Sequence, residues 1–239
     1  MDGTRVIDWR LDVGSIVKPT RHEQGSRIVG TAVLPLLPPE GPVHVLLLGE
    51  APGPRGADKS GVPFFGDAAG KHLYAVLRRM NAVALPIRID ALPWDGATFA
   101  AAQLAPIAHG IALENAFDRC PTENGTTFRA PTRVELEGTD NIARLTRELV
   151  TLRARGLRGI VTLGRVAMKT MDVVLTRMPM DGLVRRAMAH PSAQGLLSMA
   201  PDRGRGAKMA DLIDAWKVKC ERAIIEAGFV VAEQEPRHE

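Results

Sequence analysis

Short runs of apolar residues alternate along the chain with segments in which apolar residues recur every three or four positions. The runs predict buried strands at about 43–49, 110–116, 158–164 and 183–189. The helical spacing predicts helices at about 70–80, 141–155, 165–176 and 207–227. Because strands and helices alternate, we expect an α/β fold, a three-layer α/β/α sandwich with a central, mainly parallel four-stranded sheet.

The segments outside this pattern divide the chain. Residues 1–40 mix charged residues with Gly and Pro and predict an N-terminal arm or irregular lobe. Residues 41–232 form the main domain, and 233–239 a frayed, charged tail. The Pro- and Ala-rich stretch 84–108 predicts a partly irregular insertion, to which the sequence assigns no role.

Composition and charge limit the kinds of molecule that this protein can bind, but they do not identify one. The chain has 239 residues, 45% of them hydrophobic, which suits one good-sized domain. Its net charge of +4 and pI of 9.4 allow a nucleic-acid partner without requiring one. No apolar run reaches the roughly 18 residues of a membrane helix, and the N-terminus lacks the apolar core of a signal peptide. We therefore expect a cytoplasmic protein that does not contact membranes.

Cysteine is too scarce for a disulfide framework or a four-ligand metal site. The two cysteines are Cys120 and Cys220, and Cys220 lies on the apolar stripe of the last helix. We expect Cys220 to be a core thiol, and we expect neither a metal nor another cofactor.

A Gly- and Pro-rich loop follows the first strand, over residues 49–66. It is not a Walker A loop, because Asp58 stands where that motif needs glycine before its Lys-Ser pair, and it carries no dinucleotide motif. It offers two carboxylates, Glu50 and Asp58, and an aromatic pair, Phe64-Phe65. A glycine loop between a strand and a helix is typical of α/β ligand sites, so we expect its backbone amides to face a polar ligand.

Two further motifs follow other strands. Asn115 ends the second strand; such an asparagine often only turns the chain, but its amide also offers the donor and acceptor that read a base edge. A lone histidine, in His190-Pro191-Ser192, follows the last strand and precedes a predicted flexible loop, 193–199, with bulky apolar tips. Basic residues flank this motif: Arg185, Arg186, Arg203, Arg205 and Lys208.

In their order, these motifs resemble those of the uracil-DNA glycosylase superfamily, over about residues 43–220. The resemblance is closest to the branch that usually carries an iron–sulfur cluster. The segments that carry it are Gly49-Glu50-Ala51-Pro52-Gly53, residues 58–70, Asn115-Ala116, Leu163-Gly164 and His190-Pro191-Ser192.

The resemblance implies a hydrolase that flips uracil out of DNA and cleaves its N-glycosidic bond, leaving an abasic site. Gly49 and Ala51 then belong to the water-activating loop, with Glu50 or Asp58 as its acidic group. The uracil would stack on Phe64.

The other two motifs complete the implied site. Asn115 would hydrogen-bond the uracil edge, and His190 would stabilise negative charge on uracil O2. The loop after His190 would fill the gap in the DNA. The implied DNA contacts are Pro191, Ser192, Leu196, Leu197, Arg203 and Arg205.

Three departures from the family pattern bear on activity. Two cysteines cannot hold a cluster that needs four. Ala51 replaces the aspartate that precedes the loop proline in the most efficient branch. The histidine-bearing insertion of the branch that traps DNA covalently is missing, so we expect no crosslinking.

Three alternatives stay open beside a monomeric enzyme that acts on uracil-containing DNA. The first is a glycosylase for another base, such as hypoxanthine or mismatched thymine. The second is a non-catalytic binder of uracil or damaged DNA, which Ala51 keeps open. The third, a small-molecule nucleoside hydrolase, is disfavoured by the cations around His190.

Overall fold

The computed structural model describes residues 31–122, 124–125, 127–201 and 205–230. The strands are β1 (Val45–Gly49), β2 (Val83–Ala84), β3 (Ile107–Ala108), β4 (Ile111–Asn115), β5 (Gly159–Leu163) and β6 (Val184–Met188). The helices are α1 (Ala57–Ser60), α2 (Ala68–Arg79), α3 (Gly96–Ala101), α4 (Arg133–Glu137), α5 (Thr139–Ala154), α6 (Arg165–Arg177), α7 (Ala193–Leu197) and α8 (Met209–Glu226). A 3₁₀ helix spans Ile87–Ala91.

The central sheet has four parallel strands in the order β4-β1-β5-β6. The register pairs Val45 with Ile111 and Gly49 with Asn115, so β1 and β4 end side by side. From β1 the chain moves outward to β4 and then returns past β1 to β5. Such a reversal opens a crevice at the carboxyl ends of the strands, where α/β proteins bind ligands.

Alternating side chains of β1 bury both faces of the sheet. Val45 and Leu47 pack on the face that α2 and α8 cover, whereas Leu46 and Leu48 pack on the face that α4, α5 and α6 cover. Each of these four side chains is fully buried. The continuous apolar run therefore becomes a strand between two helical layers, which confirms the predicted three-layer fold.

The described end of the N-terminal segment covers one edge of the sheet. Leu36 forms an antiparallel bridge with Leu113 of β4, and the N–H of Val33 donates to the carbonyl of Asp118 over 2.7 Å. The outer edge of β4 is thereby paired. Residues 1–30 and 231–239 lie outside the described part of the chain, so the predicted arm and tail remain predictions.

The predicted insertion contains short elements that pack beneath the glycine loop. Strands β2 and β3 pair in antiparallel fashion, and α3 places Phe99 in a stack with Phe65 at 4.4 Å between ring centroids. Trp94 packs edge-on against the same Phe65 ring at 5.5 Å. The stretch is thus part of the apolar core.

The prediction of a flexible loop at 193–199 is wrong. These residues begin with helix α7, whose Leu196 is only 2% exposed. Ser192 caps this helix, because its hydroxyl accepts a hydrogen bond from the N–H of Gly195. No helix within the described ranges is both long enough and apolar enough to cross a membrane.

Candidate active site

An aromatic ring and an amide meet a glycine where β1 and β4 end. A Cβ atom placed on Gly49 would lie 2.5 Å from Cζ of Phe64 and 2.9 Å from Oδ1 of Asn115. Both distances are far below van der Waals contact, so only glycine lets the ring and the amide approach the strand this closely. The structure thus brings together Gly49, Phe64 and Asn115, three residues that the sequence placed in one site.

The amide of Asn115 is buried without a partner for its donor. The residue is 2% exposed, and its Nδ2 has no hydrogen-bond partner among the described residues. A buried donor left unpaired costs about 1–3 kcal/mol, so folded proteins seldom keep one without a functional reason. A bound molecule with an acceptor would satisfy this amide.

Phe64 holds an unusual backbone conformation beside the amide. Its φ of 62° lies in the left-handed region, which is uncommon for an aromatic residue. Helix α2 approaches it closely: a Cβ on Gly70 would lie 1.7 Å from the carbonyl oxygen of Phe64. Phe64 is only 4% exposed, so its ring is packed in place against Gly49.

Asp67, at the start of α2, organises the glycine loop from within. Its Oδ2 accepts a hydrogen bond from the N–H of Ala57 over 3.3 Å, and the N–H groups of Gly53 and Gly56 also bond to this carboxylate. These three amides were predicted to face a ligand; instead they face Asp67. An internal carboxylate thus takes the place that an anionic ligand occupies in other glycine loops.

The same burial makes Asp67 sensitive to pH. Burial, with a smaller effect of the nearby Asp58 charge, raises the pKa of Asp67 from 3.8 to about 6, although the amide donors oppose the shift. The folded protein therefore binds this proton more tightly than the unfolded chain does. Stability from the protonated form is present at low pH and is lost as the pH rises through about 6.

Asp67→Asn should remove this pH dependence. Between about pH 4 and 6.5, the unfolding free energy of the natural protein should fall relative to that of the variant by up to about 3 kcal/mol, then level off. Urea unfolding at a series of pH values measures the difference, with Asp211→Asn, an exposed position on α8, as the control. A difference that stays constant with pH would contradict this role for Asp67.

The two candidate acids differ in exposure. Glu50 follows β1 directly and is half-buried, and its burial raises the pKa of its carboxyl group. Hydrogen bonds from Ala116 and Phe117 to the carbonyls of Gly49 and Glu50 fix its backbone beside the end of β4. Asp58, in contrast, is 4% exposed and lies close to Asp67.

His190 stands at the end of β6 with a defined tautomer. The N–H of Ser192 donates to its Nδ1 over 3.2 Å, so in the neutral ring the proton resides on Nε2. Burial lowers the pKa of His190, which favours the neutral ring. A Cβ on Gly164, after β5, would lie 3.3 Å from Cβ of His190, so the histidine packs tightly against the end of that strand.

The residues predicted to contact DNA divide into three groups. Pro191 is buried, and Leu196 belongs to the apolar core, so the prediction that Leu196 wedges into DNA is wrong. Leu197 is half-buried, and Arg205 is exposed beyond α7. Arg203 lies outside the described residues.

Two of the cations near His190 are already paired. Arg185 forms an ion pair with Asp172, and Arg186 pairs with Glu226 at 2.9 Å. These arginines project from β6, which is an edge strand of the sheet. Their positive charge is therefore partly neutralised within the protein.

Sequence reasoning did not single out Arg55 and Arg165. Arg55 is exposed in the loop after β1, and Arg165 is exposed at the start of α6, directly after β5. Neither side chain has an ion-pair partner within the described part of the chain. Arg165 lies at the carboxyl edge of the sheet, because it follows β5 almost directly, and Arg55 lies in the glycine loop that leaves the same edge. The signal in the sequence was their position just after predicted strands.

The described residues do not fit an iron–sulfur cluster. Cys120 lies in the loop after β4 and Cys220 in α8, and neither forms a disulfide. Cys220 is buried in the core, as predicted, and burial raises the pKa of its thiol to about 12. A cluster needs four thiolates, and the whole chain has two cysteines.

Comparisons with known proteins identify relatives of this chain. Two curated relatives are both called type-5 uracil-DNA glycosylase. The protein from Mycobacterium leprae is 38% identical over 90 residues, which cover 36% of each chain. The protein from Thermus thermophilus is 30% identical over 167 residues, which cover 70% of this chain and 64% of the relative. These matches thus span less than two thirds of either relative.

One solved structure that is similar to this chain is wild-type SMUG2 from Pedobacter heparinus, with 14% identity, a TM-score of 0.43 and 76% of each chain covered. The sequence model described as the Uracil DNA glycosylase superfamily matches residues 38–214, a range that includes Gly49, Asn115 and His190. This match covers more than half of the chain. The chain therefore belongs to the uracil DNA glycosylase superfamily.

Proposed function

We propose that this protein hydrolyses the N-glycosidic bond of uracil in DNA and leaves an abasic site. The observation that carries the proposal is the buried, unpaired amide donor of Asn115 against Gly49 and Phe64. An amide offers one donor and one acceptor in a fixed plane, which matches the O4 and N3–H edge of uracil. A base reaches such a site only after it has left the DNA stack.

His190 is proposed to stabilise the departing base. As the glycosidic bond breaks, its electron pair moves onto the uracil ring and negative charge develops on O2. The Nε2–H of a neutral His190 donates a hydrogen bond that is stronger to this oxygen in the transition state than in the ground state. The Ser192 amide holds the ring in the required tautomer.

We propose that the carboxylate of Glu50 activates the water molecule that attacks the sugar. It is half-buried at the end of β1, whereas Asp58 is 4% exposed beside Asp67. Burial raises the pKa of the Glu50 carboxyl group, which makes its carboxylate a better base. Its charge would also stabilise the positive sugar that remains. Ala51 supplies no second acid at the loop proline.

Glu50→Gln and Asp58→Asn separate the two acids. Glu50→Gln should slow uracil release by about 10²-fold, since general base catalysis contributes typically that much. Asp58→Asn should change the rate less, because that side chain is buried away from solvent. Single-turnover excision with saturating enzyme measures both rates. Equal losses, or a larger loss for Asp58→Asn, would contradict the assignment.

Arg55, Arg165 and Arg205 are proposed to bind DNA phosphates, with Leu197 near the base stack. Arg165→Gln should weaken DNA binding and lower the slope of log Kd against log salt by about 0.9, because one counterion fewer is released. The control is Arg177→Gln: Arg177 is exposed at the opposite end of the same helix, α6. Equal effects of the two substitutions would exclude the carboxyl edge of the sheet as the DNA surface.

Two other functions fit parts of the site. A glycosylase for hypoxanthine or mismatched thymine would use the same fold with a different pocket edge. A non-catalytic binder of uracil-containing DNA is favoured by one observation, the alanine at position 51.

A labelled oligonucleotide with one uracil tests the proposal. After incubation and alkali treatment, we expect a single cut at uracil and none at hypoxanthine or mismatched thymine. A cut only at another base would show that this base, and not uracil, is the substrate. Binding without a cut at any base would support the non-catalytic function instead.

A further inference from the structure

Arg144, in the first half of α5, directs its guanidinium at the residues that end β4. Its side chain is 15% exposed. Nη2 donates to the carbonyl of Asn115 over 3.1 Å and to the carbonyl of Ala116 over 3.0 Å. The arginine therefore binds two consecutive main-chain carbonyls, that of Asn115 itself and that of the next residue.

Acidic residues hold the guanidinium in this position. Nη1 donates to the buried carboxylate of Glu114 and, over 2.8 Å, to Glu148 one turn later on α5. A third carboxylate lies nearby: Oδ2 of Asp118 is 3.8 Å from Nε of Arg144. Glu114 is 2% exposed and directly precedes Asn115 on β4, so the ion pair fixes the strand as well as the arginine.

A buried amide completes the arrangement. Asn141 donates from Nδ2 to the carbonyls of Ala116 and Leu136 over 2.9 and 2.8 Å. Its Oδ1 accepts from Nη2 of Arg144 over 3.0 Å. Two side chains of α5 thus donate to the same carbonyl of Ala116. The peptide group after Asn115 is held by two other bonds: Arg144 donates to its carbonyl, and its N–H, that of Ala116, donates to the carbonyl of Gly49 over 2.9 Å.

The hydrogen bonds from α5 restrict the place that the Asn115 amide can take. A buried amide with an unpaired donor gains free energy by turning toward any available acceptor. A change of the backbone at 115–116 would carry the whole side chain with it, and the bonds from α5 oppose this change. The strand end that carries the amide is therefore fixed in the place where the amide meets Gly49 and Phe64, while its donor is still unpaired.

We propose that Arg144 is a positioning residue, which through two carbonyl groups fixes the direction of the Asn115 amide for the base that it binds. The inference rests on the proposed function, in which Asn115 contacts the uracil edge. Lysine cannot replace this arginine, because a single ammonium group lacks the planar set of donors that reaches two carbonyls and a carboxylate together.

A double-mutant cycle tests the proposal. Arg144→Lys should slow single-turnover uracil excision by about 10- to 100-fold. In the Asn115→Ala background the same substitution should slow it by less than about twofold, because the side chain that it positions is gone. A merely structural role would give the same fold-loss in both backgrounds.

Arg153→Lys is the matched control. Arg153 lies on the same helix and also bonds two carbonyls, those of Leu157 and Asp181 at 2.6 and 2.9 Å, at the far end of the domain. It should leave the excision rate unchanged. Should Arg144→Lys fail to fold, Asn141→Ala removes one of the two donors to Ala116 and is expected to show the same dependence on Asn115.

The outcomes separate this inference from the proposed function. If the natural protein excises uracil and Asn115→Ala slows it, but Arg144→Lys is fully active or equally harmful in both backgrounds, the positioning role alone is overturned. If the natural protein releases no uracil, or Asn115→Ala is without effect, the proposed function fails and the inference fails with it. If Arg144→Lys slows excision only when Asn115 is present, the result supports both the positioning role and the proposed function.

Discussion

His190→Ala is expected to slow uracil release by about 10²–10³-fold while DNA binding stays nearly unchanged. Removing one donor that acts on developing negative charge typically costs this much in rate. Single-turnover excision with enzyme in excess isolates the chemical step. The control is His72→Ala, another half-buried histidine, which lies on α2. A loss shared by both variants would indicate damage to the fold rather than to the reaction.

The pH profile of the same reaction distinguishes two states of this histidine. Burial lowers the pKa of His190, and Nδ1 accepts a hydrogen bond, so the donor is the Nε2–H of a neutral ring. The excision rate should therefore not fall as the pH rises from about 6 to 8. A fall that is absent in His190→Ala would mean that a charged imidazole is the donor.

Asn115→Ala should lower kcat/KM for uracil-containing DNA by about 10²-fold, since the base loses the hydrogen bonds that a buried amide supplies. Unusually for a buried polar residue, the substitution should cost little stability. The natural protein already carries an unpaired Nδ2 there, and the variant no longer buries it.

Asn141→Ala gives the matching contrast in stability. Its amide nitrogen donates to two buried carbonyls, so its loss removes one bond from each and should cost about 1–3 kcal/mol. Urea unfolding compares the two variants. If Asn115→Ala were the more destabilising, the amide would have a structural partner and the case for a ligand site there would weaken.

The sheet and its main helices were predictable because local pattern determines them. A run such as Val45-Leu46-Leu47-Leu48 has one stable place, between two apolar layers. Helices α2, α5, α6 and α8 are long enough for a 3.6-residue repeat to be visible. The strand order and the short helices were not predictable from the sequence, because they depend on contacts between distant segments.

Helix α7 could not be predicted from the residues of its own segment. Gly195 and the polar residues before it resemble a loop, yet a Cβ on Gly195 would lie 2.0 Å from the carbonyl of His190, so the glycine permits close packing. That packing turns Leu196 into the core. Nothing within the segment itself reveals which way this leucine points.

The candidate site divides in the same way. Gly49, Asn115 and His190 were predictable as motif residues at strand ends. Asp67 and Arg144 were not predictable, because their contacts exist only in the folded chain. Asp67 accepts hydrogen bonds from amides of residues 53–57, and Arg144 bonds carbonyls 28 and 29 residues away in the chain. Charged residues on a helix are usually solvated, and their sequence neighbours do not distinguish these two.

The most direct test of the account is the identity of the base that the protein releases. The natural protein is incubated with DNA carrying uracil, hypoxanthine or mismatched thymine, and free bases and abasic sites are counted by chromatography and mass spectrometry. We expect free uracil, one for each abasic site, and nearly none after Asn115→Ala or His190→Ala. Release of another base in preference to uracil, or no release from DNA that the protein demonstrably binds, would contradict it.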